Sequence, residues 1–248
     1  MARNFSKCPR CSQPTIKAIS WNGSESEFWL QCSNPECNTY INTYIPLPHQ
    51  RSVHKDSHTY TGNFGAYGTG KTLTSREEMY KHIFITPKGN SLIGANVSAQ
   101  YDQTIKRDIE SDLPREFITN YSAQKSYYDF TNGHRLMFRS FDDPDKLRSL
   151  NLTSFIIIEG SEVKAEAFHQ LKTRLRNLAA TTSDPNNTNT LPSGEQIPII
   201  QGDWRKGIIE SNPDSGWIKT DVLYHSEFIQ KHGQVVDDYD IPPDAQDP

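Results

Sequence analysis

The chain has 248 residues, 34% of them hydrophobic, with 26 Lys and Arg against 30 Asp and Glu and a formal net charge of -4. That length allows one large α/β domain plus a small module, and a mean hydropathy of -0.71, with no apolar run near the ~20 residues of a bilayer span, excludes a helical integral membrane protein. The charge excludes a surface coated in basic residues for nucleic acid, but Asp237, Asp238, Asp240, Asp244 and Asp247 crowd one end, so the remainder is nearly neutral and a basic patch on one face stays open.

The first residues, Met1-Ala2-Arg3-Asn4-Phe5-Ser6-Lys7, lack the apolar stretch of a secretory signal, so a reducing cytoplasm without disulfides is the expected setting. All four cysteines fall early, as Cys8-Pro9-Arg10-Cys11 and Cys32-Ser33-Asn34-Pro35-Glu36-Cys37. Each short pair forms a knuckle that places two thiolates on a tetrahedral ion, so residues 1–45 read as a zinc ribbon in which Zn²⁺ substitutes for a core. The second pair is looser than usual, and unligated thiols or a redox C-x-x-C are the competing readings. Four thiolates leave no open position on the ion, which makes the site structural.

From Asn42 to Gln50 the chain contains Pro46 and Pro48 and is expected to be an extended connection. The Gln50 amide offers one donor and one acceptor, which suits N6 and N7 of adenine; an ordinary polar linker residue is the plainer reading. Gly65-Ala66-Tyr67-Gly68-Thr69-Gly70-Lys71-Thr72 then fits G-x-x-x-x-G-K-[ST]. Gly65, Gly68 and Gly70 permit close backbone approach, so the N–H groups around Thr69 and Gly70 turn inward on a β-phosphate beside a helix N-terminus. Lys71 would reach the β/γ-phosphates, and the Thr72 hydroxyl would bind Mg²⁺.

An amphipathic helix is expected over Leu73 to Ile85, a buried strand over Ser91 to Ala95 and a polar helix near Ala99 to Asp112. Residues 127–138 read as strand, tight turn, strand. Ser154-Phe155-Ile156-Ile157-Ile158-Glu159 is a β-branched apolar run ending in a carboxylate, as in a central parallel strand whose carboxyl end faces a ligand. There Glu159 would orient the attacking water or hold a water on Mg²⁺; the alternative is a solvated strand-end Glu. Val163 to Leu178 has helical spacing, with His169, Lys172 and Arg176 on a face read as solvated and Arg174 beside the apolar stripe. Thr181 to Glu195 reads as an exposed loop. Two further strands are expected at Gln196 to Ile200 and Gly207 to Glu210, the latter running into Ser211-Asn212-Pro213. Asn212 is placed to sense a γ-phosphate, or else belongs to a simple turn. Alternating strands and helices around a phosphate loop indicate an α/β fold with a mostly parallel sheet covered on both faces.

In order and content these motifs resemble the large terminase subunit of tailed bacteriophages. The resemblance rests on Pro46-Leu47-Pro48-His49-Gln50 as adenine motif, Gly65 to Thr72 as Walker A, and Lys146-Leu147-Arg148-Ser149-Leu150 ahead of Walker B. It continues through Phe155 to Glu159 with Ser161-Glu162-Val163, Lys172-Thr173-Arg174-Leu175-Arg176-Asn177, and Ser211-Asn212-Pro213 as coupling motif. It implies an ASCE-type P-loop NTPase with a mostly parallel central sheet flanked by helices over residues 46–232. An acidic linker over 233–248 would lead to a nuclease domain of the RNase H type that this stretch does not contain, so nuclease activity is not expected of it.

The implied activity is hydrolysis of ATP, with Mg²⁺, to drive double-stranded DNA into a prohead, alongside a structural Zn²⁺. The implied partners are double-stranded DNA, the portal protein, the small terminase subunit and further copies in a ring, with no membrane, in the cytoplasm of an infected bacterial host. Glu159 becomes the catalytic Glu, Asn212 the coupling residue and Arg148, ahead of Arg139, Arg174 and Arg176, the arginine given to a neighbour's site. The ribbon, which many terminases lack, would touch DNA, the small subunit or the portal. In two places the chain departs from the family. Ile158 stands where the first of two acids is usual, leaving Mg²⁺ to Thr72 and waters with Glu162 as substitute, and Tyr67 replaces a basic residue in Walker A. The competing classes are a superfamily 2 helicase-like translocase, which shares an upstream Gln motif, and a non-catalytic nucleotide- or zinc-binding adaptor.

Overall fold

A computed structural model describes residues 5–176, 188–190, 196–198, 205–212, 216–224, 229–231 and 234–236. Thr15–Ile19 (β1), Glu25–Cys32 (β2) and Tyr40–Asn42 (β3) form an antiparallel sheet in that order. Helix Pro48–Lys55 (α1) follows. The expected extended stretch therefore stops at Leu47, because Pro48 enters the first helical position with φ preset and no N–H to satisfy. Two residues on, Gln50 Oε1 accepts the Leu47 N–H at 2.8 Å and caps the same turn.

The main sheet uses Tyr60–Phe64 (β4), Asn90–Ala95 (β5), Ile118–Ser122 (β6), Tyr127–Phe130 (β7), Arg135–Ser140 (β8) and Ser154–Ile157 (β9). Short strands Thr188–Thr190 (β10) and Gln196–Pro198 (β11) pair with each other, and Lys206–Ser211 (β12) returns to the main sheet. The hairpin Ile229–Lys231 (β13) and Gln234–Val236 (β14) comes last. Most of Thr181 to Glu195, with Ile199, Ile200 and Pro213, lies outside the described residues.

The seven strands run β4-β12-β9-β5-β8-β7-β6. The first five are mutually parallel, and β7 and β6 close the far edge antiparallel. Every residue of β9 is buried, as a parallel strand covered on both faces requires, which is why its sequence shows no alternation. Helix Lys71–Ile85 (α2) covers one face, where Met79, Tyr80 and Ile83 join one apolar cluster with Ile93, Ile156 and Ile208. Helix Ala165–Arg174 (α5) covers the other, with Phe168 and Leu171 clustered with Phe155, Ile157 and Ile209. This helix ends at Arg174, where the chain at Leu175 turns to pair with Leu152: Leu152 donates to the Arg174 carbonyl at 2.9 Å and Arg176 to the Leu152 carbonyl at 3.1 Å; Leu178, the expected end, lies outside the described residues. The polar helix is present as Ser98–Tyr101 (α3) and Arg107–Asp112 (α4), joined through a wider π-type turn at Asp102–Lys106.

Helix α2 is buried well beyond its apolar stripe: Thr74, Ser75, Arg76, Glu77 and Glu78 are all nearly inaccessible. The cysteine-bearing sheet supplies the cover. Trp29 of β2 packs edge-on to Phe84 and Phe117 with ring centroids 5.8 and 5.0 Å away, and the Arg76 guanidinium lies 4.7 Å over the Phe28 ring. Ser26 donates to the Asp112 carbonyl at 2.7 Å, and Asn42 donates to Glu77 at 3.0 Å. The N-terminal sheet thus shares its core with the face of the main sheet that carries α2.

Candidate nucleotide site and cysteine cluster

The phosphate loop links the carboxyl end of β4 to α2, so it stands at the edge of the sheet where the strand ends converge. Gly70 adopts a left-handed conformation, φ 79°, and a Cβ there would come within 2.7 Å of Gln50 Nε2. Glycine is needed on both counts. Because the N-cap of α2 is Gly70, which has no side chain to cap the first turn, the leading N–H groups of the helix suit an anion. Asn63 ties strand to helix by donating to the Lys71 carbonyl at 3.1 Å and Ser75 Oγ at 3.3 Å.

Lys71 Nζ donates to the Gly65 carbonyl at 2.8 Å, the Ala66 carbonyl at 3.0 Å and Asn212 Oδ1 at 3.0 Å. On its other side the Asn212 amide donates to Glu159 Oε2 at 3.4 Å. Lys71, Asn212 and Glu159 therefore form one chain of contacts across the ends of β4, β12 and β9. Glu159 itself has φ 49° and ψ 55°, a left-handed backbone uncommon outside glycine. The turn it starts is fixed from β12, since Ser211 Oγ accepts the Ser161 N–H at 3.1 Å. The Gly65 N–H reaches the Ser211 carbonyl at 3.3 Å, so Ser211 and Asn212 contact both the phosphate loop and the turn at Glu159.

The residue that sequence reasoning missed is Glu210. Its carboxylate accepts the Thr72 hydroxyl at 2.5 Å, the residue is 1% exposed, and its second oxygen, Oε2, has no hydrogen-bond partner among the described residues. Burial, reinforced by the nearby Glu159 charge and opposed by the Thr72 and Ser75 hydroxyls and by Lys71, pushes its pKa up to about 7. One signal was available: Gly207-Ile208-Ile209-Glu210 repeats the pattern of an apolar run ending in an acid that singled out Glu159. Glu162 is placed elsewhere, exposed and accepting from Gln100 at 2.6 Å.

Gln50 is buried, with Oε1 taken by the Leu47 N–H and the Tyr44 hydroxyl and Nε2 directed to the Gly70 carbonyl at 3.4 Å. Beside it a cleft of about 360 Å³ is bounded by Phe28, Tyr44, Leu47, Thr69 and Leu73. Arg148 lies on the surface, paired with Asp145 at 2.8 Å, and is not brought into the Lys71 set. Arg139 donates to the Lys125 and Phe138 carbonyls. Tyr67 is 86% exposed at the crest of the loop.

The sulfur atoms of Cys8, Cys11, Cys32 and Cys37 lie within 4.8 Å of one another, with Cys11 to Cys32 at 3.4 Å and Cys8 to Cys37 at 3.8 Å. A tetrahedral Zn²⁺ with sulfur at about 2.3 Å sets its ligands about 3.8 Å apart, so the cluster fits such an ion. Backbone N–H groups of Arg10 and Asn34 each reach a cysteine sulfur at 3.4 Å, an outer-shell arrangement that favours the thiolate form.

A phosphate loop after one strand, an acid after another and a polar Ser-Asn segment at the end of the strand between them define a P-loop NTPase of the ASCE type. The chain belongs to the phage terminase large subunit family, whose model matches residues 57–196. Among solved structures, the large terminase of a thermophilic bacteriophage is 13% identical, with a TM-score of 0.52 over 67% of this chain and 37% of that one. The large terminase ATPase domain of Thermus phage P74-26, in a mutant form, is 14% identical, with a TM-score of 0.46 over 76% of this chain and 74% of that one. The thermophilic phage protein in complex with ATP-gamma-S gives 14% identity and a TM-score of 0.47 over 70% and 40%. At these identities the likeness is one of fold, and the chain spans 37% of the length of the first of these proteins. No curated protein matches the chain.

Proposed function

We propose that this chain is the ATP-hydrolysing motor domain of a phage packaging terminase, moving double-stranded DNA into a prohead. The observation that carries the reading is the contact chain from Lys71 through Asn212 to Glu159, set at the strand ends of a protein of this family. Lys71 and the leading N–H groups of α2 bind the β- and γ-phosphates and neutralise charge that develops there. Glu159 accepts a proton from the attacking water and orients it. Asn212 touches both groups, so loss of the γ-phosphate alters contacts on β12 and passes the change to the sheet. The Thr72 hydroxyl would hold Mg²⁺, which when bound would supply positive charge to offset that of the phosphates.

The base occupies the cleft beside Gln50, where Phe28, Tyr44 and Leu73 supply apolar walls. Arg148, on the surface, serves the site of a neighbouring copy in a ring assembled on the portal. The cysteine cluster holds one structural Zn²⁺ and leaves the outer surface of its module to DNA, the small subunit or the portal. The host cytoplasm is where the motor would work.

ATP hydrolysis by the chain assembled with portal and DNA tests the proposal. Lys71→Ala and Glu159→Gln each lower turnover by about 100-fold or more, and Glu159→Gln still binds ATP. Full turnover by Glu159→Gln in that assembly refutes the assignment.

A further inference from the structure

Given the nucleotide-site reading, we propose that Glu210, at the end of β12, is the acidic residue of the Mg²⁺ site and supplies from a neighbouring strand the carboxylate that Ile158 lacks. The register carries the first part of the argument. Strands β12 and β9 run parallel with Lys206 beside Ser154, Ile208 beside Ile156 and Ile209 beside Ile157. Continuing that register by one residue brings Glu210 beside Ile158. Side chains alternate faces along a strand. Ile208, Ile156 and Ile158 all join the cluster against α2, so Glu210 shares the face that Ile158 would have used, one strand nearer the phosphate loop.

The second part is the state of the carboxylate. Glu210 is 1% exposed, and its Oε1 accepts the Thr72 hydroxyl at 2.5 Å, the hydroxyl that a P-loop presents to the metal. Oε2 has no partner among the described residues. A buried carboxylate oxygen left unpaired is costly and is retained where a cation completes it. The donor set, a Thr hydroxyl and a carboxylate beside the phosphate position, consists of the hard oxygen ligands that Mg²⁺ takes, typically one or two carboxylates with nucleotide oxygens and waters. Ile158, 3% exposed in the apolar cluster, has no such chemistry. Glu162 is spoken for by Gln100.

The test is a pair of titrations on wild type and Glu210→Gln: metal-free ADP binding by calorimetry, and Mn²⁺ binding to the ADP complex by electron paramagnetic resonance. Gln keeps the shape and the acceptor for Thr72, so ADP affinity without metal, which also reports that the site is folded, stays within about threefold while Mn²⁺ affinity falls about tenfold or more. Glu162→Gln leaves Mn²⁺ affinity unchanged. Undiminished Mn²⁺ affinity in Glu210→Gln, with wild type binding both ADP and Mn²⁺, overturns this proposal and leaves the nucleotide site standing. A wild-type chain that binds no ADP overturns both.

Discussion

Glu159 presents its carboxylate from a backbone that disfavours it, at φ 49° and ψ 55°. A non-glycine residue in this region costs about 1–2 kcal/mol, and such strain persists where surrounding contacts over-determine it. Here the Ser161–Ser211 hydrogen bond and the Asn212 contact hold the turn. Glu159→Gly should therefore raise stability by about 0.5–1 kcal/mol, after the entropy cost of glycine, while abolishing hydrolysis. Glu159→Gln, which keeps the strain, should match wild type in stability, and urea denaturation of the three proteins checks this. The phosphate loop and Glu159 were legible as local patterns. Glu210 ends a similar apolar run, but its place in the site depends on Thr72, 138 residues away in sequence, and on a strand order that no periodicity records.

At the scale of elements, α2 is the least readable helix and the most informative one. The sequence marks it only as amphipathic, but the β1–β3 sheet lies over its polar residues and turns them into buried partners. Arg76 contacts Asp108 at 3.0 Å and Asp112 at 2.8 Å, while Asn42 reaches Glu77. Burial pushes Glu77 from 4.5 up to about 7, against the opposing pull of Arg76 and the Asn42 hydrogen bond. Between those values the folded protein keeps a proton that the unfolded chain releases, so this contribution to stability is full at low pH and is lost as pH rises through the window. Glu77→Gln removes that dependence. Relative to wild type it should gain roughly 2 kcal/mol between about pH 5 and pH 8, read from denaturant midpoints at each pH. The cysteine spacing disclosed that the four thiols come together; nothing local disclosed that the neighbouring sheet would roof the loop helix, since the contacts run from Trp29 to Tyr80, Phe84 and Phe117.

For the whole molecule, the shared core makes the N-terminal sheet and the main sheet one cooperative unit. Stripping metal from the cysteine cluster with a chelator should lower the melting temperature of the entire chain in a single transition, with no separate early step, when followed by calorimetry. Trp29→Ala should act the same way, at a cost of about 3–5 kcal/mol, and should weaken ADP binding, because Phe28 next to it bounds the cleft beside the loop. Separate transitions would mean that the two sheets fold independently.

The position of β12 also sets an order of assembly. Among the described residues β4 pairs with β12 alone, and β12 alone lies between β4 and β9. Until residues 206–211 leave the ribosome, the strand that carries the phosphate loop has no neighbour in the sheet, and β9 shows an open edge of N–H and C=O groups. Closing a loop from β4 to β12 is a long-range event with a large entropic cost, which places it late in folding. The nascent chain is thus denied a finished nucleotide site until β12, about 140 residues beyond the phosphate loop, has been made.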